Sequence, residues 1–323
     1  TLQRAGAPET DITSLGFDSR HATAGQLFFA VKGSASDGHD YMAQATANGA
    51  AAVVCERLPE EPFPGVAYIV VADSSAALGT IASRFYGEPS HKLKLVGVTG
   101  TNGKTTTATL LYDLFRRLGY KAGLISTVVY RIDNETLPST HTTPDAIRLN
   151  AMLAEMAERG CDYCFMEVSS HSIVQERIAG LTFAGGIFTN ITHEHLDYHG
   201  TFAEYIRAKK RFFDRLLKGA FALVNADDRN GAVMVQNSAA TTYTYALRSF
   251  SDFRCRILEN TPEGMLLELD GQQVWTRFLG RFNAYNLAAV YGAARLLGAD
   301  CDETLQALST LTPVNGRFDT LHS

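Results

Sequence analysis

The chain has 323 residues, enough for about two domains, and 46% of them are hydrophobic, so it can bury substantial cores. Its 29 basic and 34 acidic residues leave a net charge of −5, which argues against a nucleic-acid or anionic-membrane surface as the main partner. No apolar run approaches the length of a membrane span. Five scattered cysteines, an odd number, favour a reducing cytoplasmic location over a disulfide framework.

The first region, residues 1–88, alternates strand and helix signals. Short apolar runs predict strands at 27–31, 51–54 and 68–71, and helical spacing predicts helices over 41–48 and 75–86. The turn-rich residues 87–91 then predict a domain boundary. We expect a small N-terminal α/β domain here.

From Lys92 onward, apolar strands alternate with amphipathic helices. Strands are predicted at 95–99, 122–126, 163–169, 186–191 and 221–225, and helices at 105–118, 145–159, 202–217 and 285–297. This order predicts a mostly parallel sheet flanked by helices, in a second domain over residues 89–318. Residues 254–279 alternate like antiparallel strands, so we expect a β-rich extension late in that domain.

A glycine-rich segment between the predicted strand 95–99 and the following helix carries the strongest signal. It consists of Gly100, Thr101, Asn102, Gly103, Lys104, Thr105 and Thr106. Such a loop lets backbone N–H groups and the helix N-terminus converge on phosphate oxygens, with the lysine on the β/γ-phosphates and a hydroxyl on Mg²⁺. The general pattern has glycine where Val98 stands, so we expect a subtype of the ATP phosphate loop rather than a turn that binds nothing.

Two polar clusters follow later strands, where ligands bind in open α/β sheets. Glu167 ends an apolar run and is expected to be a Mg²⁺ ligand, although Ser169 or Ser170 could simply cap the next helix. Residues 189–199 hold three histidines and two acids, for which a Mg²⁺–triphosphate site, a zinc site and a polar surface loop are all open readings.

Two further segments are ambiguous from their residues alone. Lys209, Lys210 and Arg211 lie on a predicted helix, and such a basic run is usually a solvated face. Asn283 and Asn286 open the helix near residue 285, where Asn283 is a plausible N-cap.

Taken together, these motifs resemble the Mur ligases of peptidoglycan synthesis, and among them the E-type members. The resemblance rests on the loop 100–106, on 167–171 and 190–200, on His141-Thr142-Thr143-Pro144, and on Phe17-Asp18-Ser19-Arg20 with Asp37-Gly38. It covers essentially the whole chain. It implies an ATP-dependent amide ligase that adds meso-diaminopimelate or L-lysine to UDP-N-acetylmuramoyl-L-alanyl-D-glutamate through an acyl phosphate.

The resemblance also implies roles for individual residues. ATP would contact the loop residues Gly100 to Thr106, with Asn286 and Arg317. Catalytic roles fall to Lys104, Lys209 and His195, and two Mg²⁺ ions would be held by Thr105, Glu167, His195 and Lys209. The UDP-linked substrate would contact residues 1–88 at Phe17, Ser19, Ser34, Ala35 and Ser36, and the second domain at Thr142, Thr143, Ser169, Gln175 and Arg177.

Lys209 is implied to carry a carbamate derived from CO₂, because an unmodified ammonium would repel Mg²⁺ and a carbamate would bind it. The resemblance also implies a third domain beyond the Arg317 region. We therefore expect a two-domain fragment in which 319–323 begins a linker, and a monomer without nucleic-acid or membrane partners. The alternatives are an F-type Mur ligase or a nucleotide-binding module without ligase activity.

Overall fold

The computed structural model of the chain describes residues 3–5, 10–33, 36–192 and 196–313. By its internal contacts the chain forms two compact units. The first comprises Thr1–Glu88, Asp145–Ala151 and Gln175–Leu181, and the second comprises the rest. The division after Glu88 falls at the turn-rich segment, but two later segments that the sequence places in the second domain belong with the first unit.

The first unit is built on a sheet that is buried on both faces. Its elements are β1 (Gln3–Ala5), β2 (Ser14–Gly16), β3 (Gln26–Phe29), α1 (Met42–Ala47), β4 (Ala52–Cys55), β5 (Ala67–Val70) and α2 (Ser74–Phe85). The strand order is β1-β5-β4-β3-β2, and all neighbours are parallel except β1 and β5. Phe28 and Phe29 are both fully buried but belong to different apolar clusters, because successive strand residues point to opposite faces.

Close backbone packing explains why the segment Gln175–Leu181 joins the first unit. A Cβ on Gly79 in α2 would lie 2.6 Å from the Ala179 carbonyl oxygen, and one on Gly180 would lie 2.8 Å from Thr80 Cα. Neither position has room for a side chain. The two glycines therefore let α2 and this segment pack backbone against backbone.

Asp37 holds the turn before α1. Its Oδ1 accepts from the His39 backbone N–H at 3.0 Å and lies 2.6 Å from His39 Nδ1, while Oδ2 accepts from Arg57 Nη2 at 3.2 Å. The His39 backbone N–H, followed by the His39 ring and Arg57, outweighs burial and lowers the pKa of Asp37 to about 2. The ordinary value is 3.8, so this stabilisation is complete above that pH and is lost as the pH falls through it towards 2.

We therefore expect Asp37→Asn to lower the free energy of unfolding by about 1–2 kcal/mol at pH 7, with the difference from the unaltered chain shrinking between pH 4 and pH 2. Urea denaturation across this range measures it. Asp40→Asn is the matched control, because Asp40 is exposed and lies 3.6 Å from the same arginine. A difference that grows as the pH falls would contradict the assignment.

The second unit contains a long mixed sheet flanked by helices. Its strands are β6 (Lys94–Thr99), β7 (Ala122–Ile125), β8 (Val129–Ile132), β9 (Glu135–Pro138), β10 (Tyr163–Glu167), β11 (Gly185–Phe188), β12 (Phe221–Asn225), β13 (Thr241–Ala246), β14 (Phe253–Thr261), β15 (Gly264–Leu269) and β16 (Gln272–Thr276). Its helices are α3 (Lys104–Arg117), α4 (Ala146–Glu158, whose first residues belong to the first unit), α5 (Ser170–Val174), α6 (Leu196–His199), α7 (Phe202–Asp214), α8 (Gly231–Val235), α9 (Arg281–Leu296) and α10 (Cys301–Thr310).

The strand order is β16-β15-β14-β13-β12-β11-β6-β10-β7-β8-β9. Neighbours from β14 to β7 are parallel, and both ends of the sheet are antiparallel. The predicted α/β class, the parallel centre and the β-rich extension are confirmed. The sequence did not predict β8, β9 and β13, nor the helices α6, α8 and α10.

The central strand β6 separates two packed layers. Val96 and Val98 belong to the cluster that α3 and α9 cover. Gly97 faces the other way, where an added Cβ would lie 2.6 Å from the Phe212 ring of α7. Helices α3 and α9 therefore cover one face of β6 and α7 covers the other, so the loop after β6 begins between the two layers. Among the described helices, none has the length and hydropathy needed to cross a membrane.

Candidate functional site

The glycine loop connects β6 to α3 as predicted. Gly100 has φ +151° and Gly103 has φ +84°, a region that side chains rarely adopt. Space is restricted as well, because a Cβ would lie 1.9 Å from Thr189 Oγ1 at Gly100 and 2.5 Å from Asn286 Oδ1 at Gly103. Both glycines are therefore required by the turn and by their neighbours.

The end of β11 holds the loop in place. The Thr101 N–H donates to the Asn190 carbonyl at 2.8 Å, and the Asn102 N–H donates to Asn190 Oδ1 at 3.0 Å. The Asn102 carbonyl accepts from Asn190 Nδ2 at 3.1 Å and from Thr189 Oγ1 at 2.7 Å. Since the first part of the loop is bonded to protein, the N–H groups at the start of α3 are the ones suited to an anion.

Two lysines share one acceptor in the loop. Lys104 Nζ donates to the carbonyls of Gly100 at 3.0 Å and Thr101 at 2.7 Å. Lys209 Nζ, from α7, donates to the same Gly100 carbonyl at 2.8 Å and lies 4.6 Å from the centre of the Tyr205 ring. Lys209 is only 1% exposed, so it is not part of a solvated basic face. The two positive charges meet beside a loop suited to a polyphosphate.

Glu167 ends β10 beside Val98, next to the start of the loop. It is 1% exposed, and its carboxylate accepts from the Thr127 N–H at 2.7 Å and from Thr127 Oγ1 at 3.2 Å. Thr127 Oγ1 also lies 3.0 Å from Thr142 Oγ1, which can donate to it, and Thr143 Oγ1 donates to the Glu167 carbonyl at 2.9 Å. The predicted metal residue and two predicted substrate residues thus lie in one hydrogen-bonded group.

Ser169 has the capping role that was the alternative reading of this segment. Its Oγ accepts from the Ser172 N–H at 3.1 Å and caps α5. Ser170 Oγ lies 2.9 Å from His199 Nε2. Capping does not account for Glu167, which precedes this helix.

The other predicted residues lie elsewhere or outside the described residues. In the first unit, Phe17 and Ser36 are exposed, Ser19 Oγ donates to Gln44 Oε1 at 2.7 Å, and Arg177 donates to Gln175 Oε1 at 2.6 and 2.9 Å. His195, Arg317, Ser34 and Ala35 lie outside the described residues. Their roles stay predictions.

A cavity of about 500 Å³ opens beside the loop within the second unit. Asn102, Gly103, Thr106 and Asn286 contribute to its lining, and Phe278, Phe282 and Tyr285 add aromatic rings. This volume lies in the range of small-molecule sites, and the lining combines aromatic rings with many polar groups. The structure thus brings Asn286 beside Gly103 of the loop, and its contact with ATP stays a prediction.

Sequence reasoning missed Thr127, Asp227 and Tyr285 as members of this site, and it gave Asn190 no role of its own although the segment 189–199 was singled out. Asp227 could have been found, because it follows the predicted strand 221–225 and ligands collect at such strand ends. Thr127 acts through its backbone N–H as well as its hydroxyl, so no residue pattern marks it.

Comparisons with known proteins bear on the family of the chain. Residues 98–294 match the Mur ligase middle domain, and residues 11–86 match the Mur ligase family, catalytic domain. The chain is 57% identical over 98% of its length to a protein of Cytophaga hutchinsonii named UDP-N-acetylmuramoyl-L-alanyl-D-glutamate–2,6-diaminopimelate ligase. A protein of Geobacillus thermodenitrificans with the same name is 40% identical over 99% of the chain.

A solved structure, also titled as UDP-N-acetylmuramoyl-L-alanyl-D-glutamate–2,6-diaminopimelate ligase, has a TM-score of 0.84 and 28% identity over 95% of this chain. The chain spans 65% and 66% of the two relatives and 64% of the solved chain. The family resemblance that the motifs indicate is confirmed. This chain belongs to the Mur ligase family.

Proposed function

We propose that this chain carries the ATP and UDP-substrate parts of an ATP-dependent amide ligase, which joins 2,6-diaminopimelate to UDP-N-acetylmuramoyl-L-alanyl-D-glutamate in peptidoglycan synthesis. The observation that carries this proposal is the loop at 100–106, which is hydrogen-bonded to Asn190 and has Lys104 Nζ on the carbonyls of Gly100 and Thr101. The names of relatives at 57% and 40% identity support this substrate pair.

The residues of the site fit MgATP. Glycines that exclude a Cβ, the N-terminus of α3 and Lys104 suit the triphosphate. The Glu167 carboxylate and the Thr105 hydroxyl supply the oxygen ligands that Mg²⁺ prefers. Each Glu167 oxygen accepts one hydrogen bond from Thr127 and keeps lone-pair capacity for a cation. Mg²⁺ would neutralise charge on the phosphates.

The chemistry has two steps. A carboxylate oxygen of the D-glutamyl residue takes the γ-phosphoryl group of ATP, so that the bond to ADP breaks and an acyl phosphate forms. The amine of the incoming amino acid then attacks the acyl carbon, an amide forms, and phosphate leaves after the amine loses its proton. Lys104 offsets the charge that both anions bring together in the first step.

Further parts of the proposal come from the family resemblance. Lys209 would carry a carbamate and a second Mg²⁺, with His195 as another ligand. The UDP-linked substrate would contact Phe17, Ser19, Ser34, Ala35, Ser36, Thr142, Thr143, Ser169, Gln175 and Arg177, and Arg317 would contact ATP. We expect a monomer that works in the cytoplasm, where ATP and nucleotide sugars are supplied.

The test is phosphate release that depends on both the UDP-linked dipeptide and the amino acid. Diaminopimelate, lysine and ornithine should be compared, and we expect diaminopimelate to be preferred. Hydroxylamine added in place of the amino acid should trap the acyl phosphate as a hydroxamate. A rate of ATP hydrolysis that is the same with and without the UDP-linked dipeptide and the amino acid would instead favour a nucleotide-driven switch and contradict the proposal.

A further inference from the structure

Asp227 lies just beyond the end of β12 and gathers four hydrogen-bond donors. Its Oδ2 accepts from the N–H groups of Leu247 and Arg248, both at 2.9 Å, and from the Tyr285 hydroxyl at 2.7 Å. Its Oδ1 accepts from the Ser249 N–H at 2.8 Å. Asp227 itself contributes to the cavity lining, but its side chain is only 3% exposed and both of its oxygens already accept from protein donors.

The donors come from two elements that wall the cavity beside the phosphate loop. Leu247, Arg248 and Ser249 follow β13, and Tyr285 lies in α9. Arg248 and Tyr285 both line the cavity, and Arg248 Nε also lies 3.8 Å from Asp227 Oδ2. One carboxylate therefore fixes two walls that are far apart in sequence.

A charged acceptor is what this arrangement requires. Burial alone would raise the pKa of Asp227, but hydrogen bonds from Ser249, Tyr285, Arg248 and Leu247 hold it well below its usual range. A neutral amide of the same shape has one acceptor oxygen, and its NH₂ group would face at least one of these donors. Asparagine at this position would therefore keep the volume of the side chain but accept fewer hydrogen bonds than the carboxylate does.

The cavity is continuous with the loop, since Gly103 and Thr106 contribute to its lining. A nucleotide with its phosphates at the start of α3 would place its nucleoside among Phe282, Tyr285 and Arg248. Aromatic rings and a guanidinium suit a flat heterocycle, which stacks on such groups. The two halves of the ligand thus meet different parts of the protein.

We infer that Asp227 is a positioning residue for the nucleoside half of the site, acting through Tyr285 and the segment 247–249 rather than by touching the ligand. The inference rests on the proposed ATP binding but goes beyond it, because it separates recognition of the nucleoside from recognition of the phosphates.

The experiment compares the affinity of the whole chain for ATP and for tripolyphosphate, both with Mg²⁺, by titration calorimetry. Asp227→Asn should weaken ATP binding about tenfold or more, the equivalent of one or two lost hydrogen bonds, and leave tripolyphosphate binding unchanged. Tyr285→Phe removes one donor and keeps the ring, so it should weaken ATP binding about three- to tenfold and again spare tripolyphosphate.

Asp252→Asn is the matched control. Asp252 lies in the same β13–β14 connection and accepts from the Thr244 N–H at 2.8 Å and from Thr244 Oγ1 at 2.7 Å, but it is not part of the cavity lining. It should leave both affinities unchanged. Asp227→Asn and Tyr285→Phe should be non-additive for ATP, whereas either should add to Asp252→Asn.

Equal losses for both ligands, or no loss of ATP affinity in either variant, would overturn the inference. If Asp227→Asn fails to fold, Tyr285→Phe decides the question alone. If the unaltered chain binds tripolyphosphate but not ATP, the inference is overturned while the role of the phosphate loop stands. If the unaltered chain binds neither ATP nor tripolyphosphate, the proposed function is overturned, and the inference with it.

Discussion

Lys104→Met should bind MgATP about 100-fold more weakly than the unaltered chain and, where ligation is measured, should turn over about 100- to 1000-fold more slowly. The lysine Nζ is held at the loop by the Gly100 and Thr101 carbonyls, within reach of a triphosphate at the start of α3. Methionine keeps the length of the side chain and removes the charge. The larger effect on turnover follows because negative charge concentrates when the phosphoryl group meets the carboxylate.

The measurement is calorimetric titration of MgATP, followed by the rate of phosphate release. Lys121→Met is the control, because Lys121 also donates to a backbone carbonyl of the second unit, that of Arg159 at 3.1 Å, but it lies on the surface. Thermal unfolding should show both variants folded. An ATP affinity within a factor of about two of the unaltered chain would rule out Lys104 as a phosphate contact.

Lys209→Ala should lose at least about 100-fold in turnover, and a small carboxylate such as acetate should restore part of it. Lys209 is buried against the Gly100 carbonyl and the Tyr205 ring. Removing its side chain leaves space at the position where the carbamate would lie. A carboxylate that enters this space supplies the same oxygen ligands to Mg²⁺.

A second readout does not depend on turnover. With a non-hydrolysable ATP analogue present, the unaltered chain should bind one more Mn²⁺ ion than Lys209→Ala does, and acetate should recover the difference. Lys210→Ala is the control, because the next residue is turned by about 100° on the helix and Lys210 pairs with Asp214 instead. Full activity or an unchanged ion count in Lys209→Ala would exclude the carbamate.

The periodic parts of the fold were predictable from the sequence. Strands β6, β10 and β12 were identified because each is a continuous apolar run buried on both faces, and α3 and α7 because their apolar residues recur at helical spacing. Strands β8 and β9 escaped prediction, since they are short and β9 has little buried surface. The polar start of β13 explains why that strand was also missed.

The candidate site was predictable where side chains carry the chemistry. Lys104, Glu167 and Asn286 follow or open recognisable elements, and the structure places them around one loop. Lys209 looked like a member of a solvated basic run from its neighbours alone, and the family resemblance was needed to single it out. Asp227 was missed because its partners are mainly backbone N–H groups, whose position depends on the path of a loop distant in sequence.

Gly97 has a consequence that reaches beyond its own strand. Its missing side chain lets the Phe212 ring lie directly on β6, and Phe212 is three residues, about 4.5 Å of helix rise, from Lys209. The distance between α7 and the sheet therefore sets how far the Lys209 side chain reaches past the loop. A Gly97→Ala substitution would therefore push α7 away from the sheet. Lys104 and Lys209, although unaltered, would then no longer share the carbonyl oxygen of Gly100.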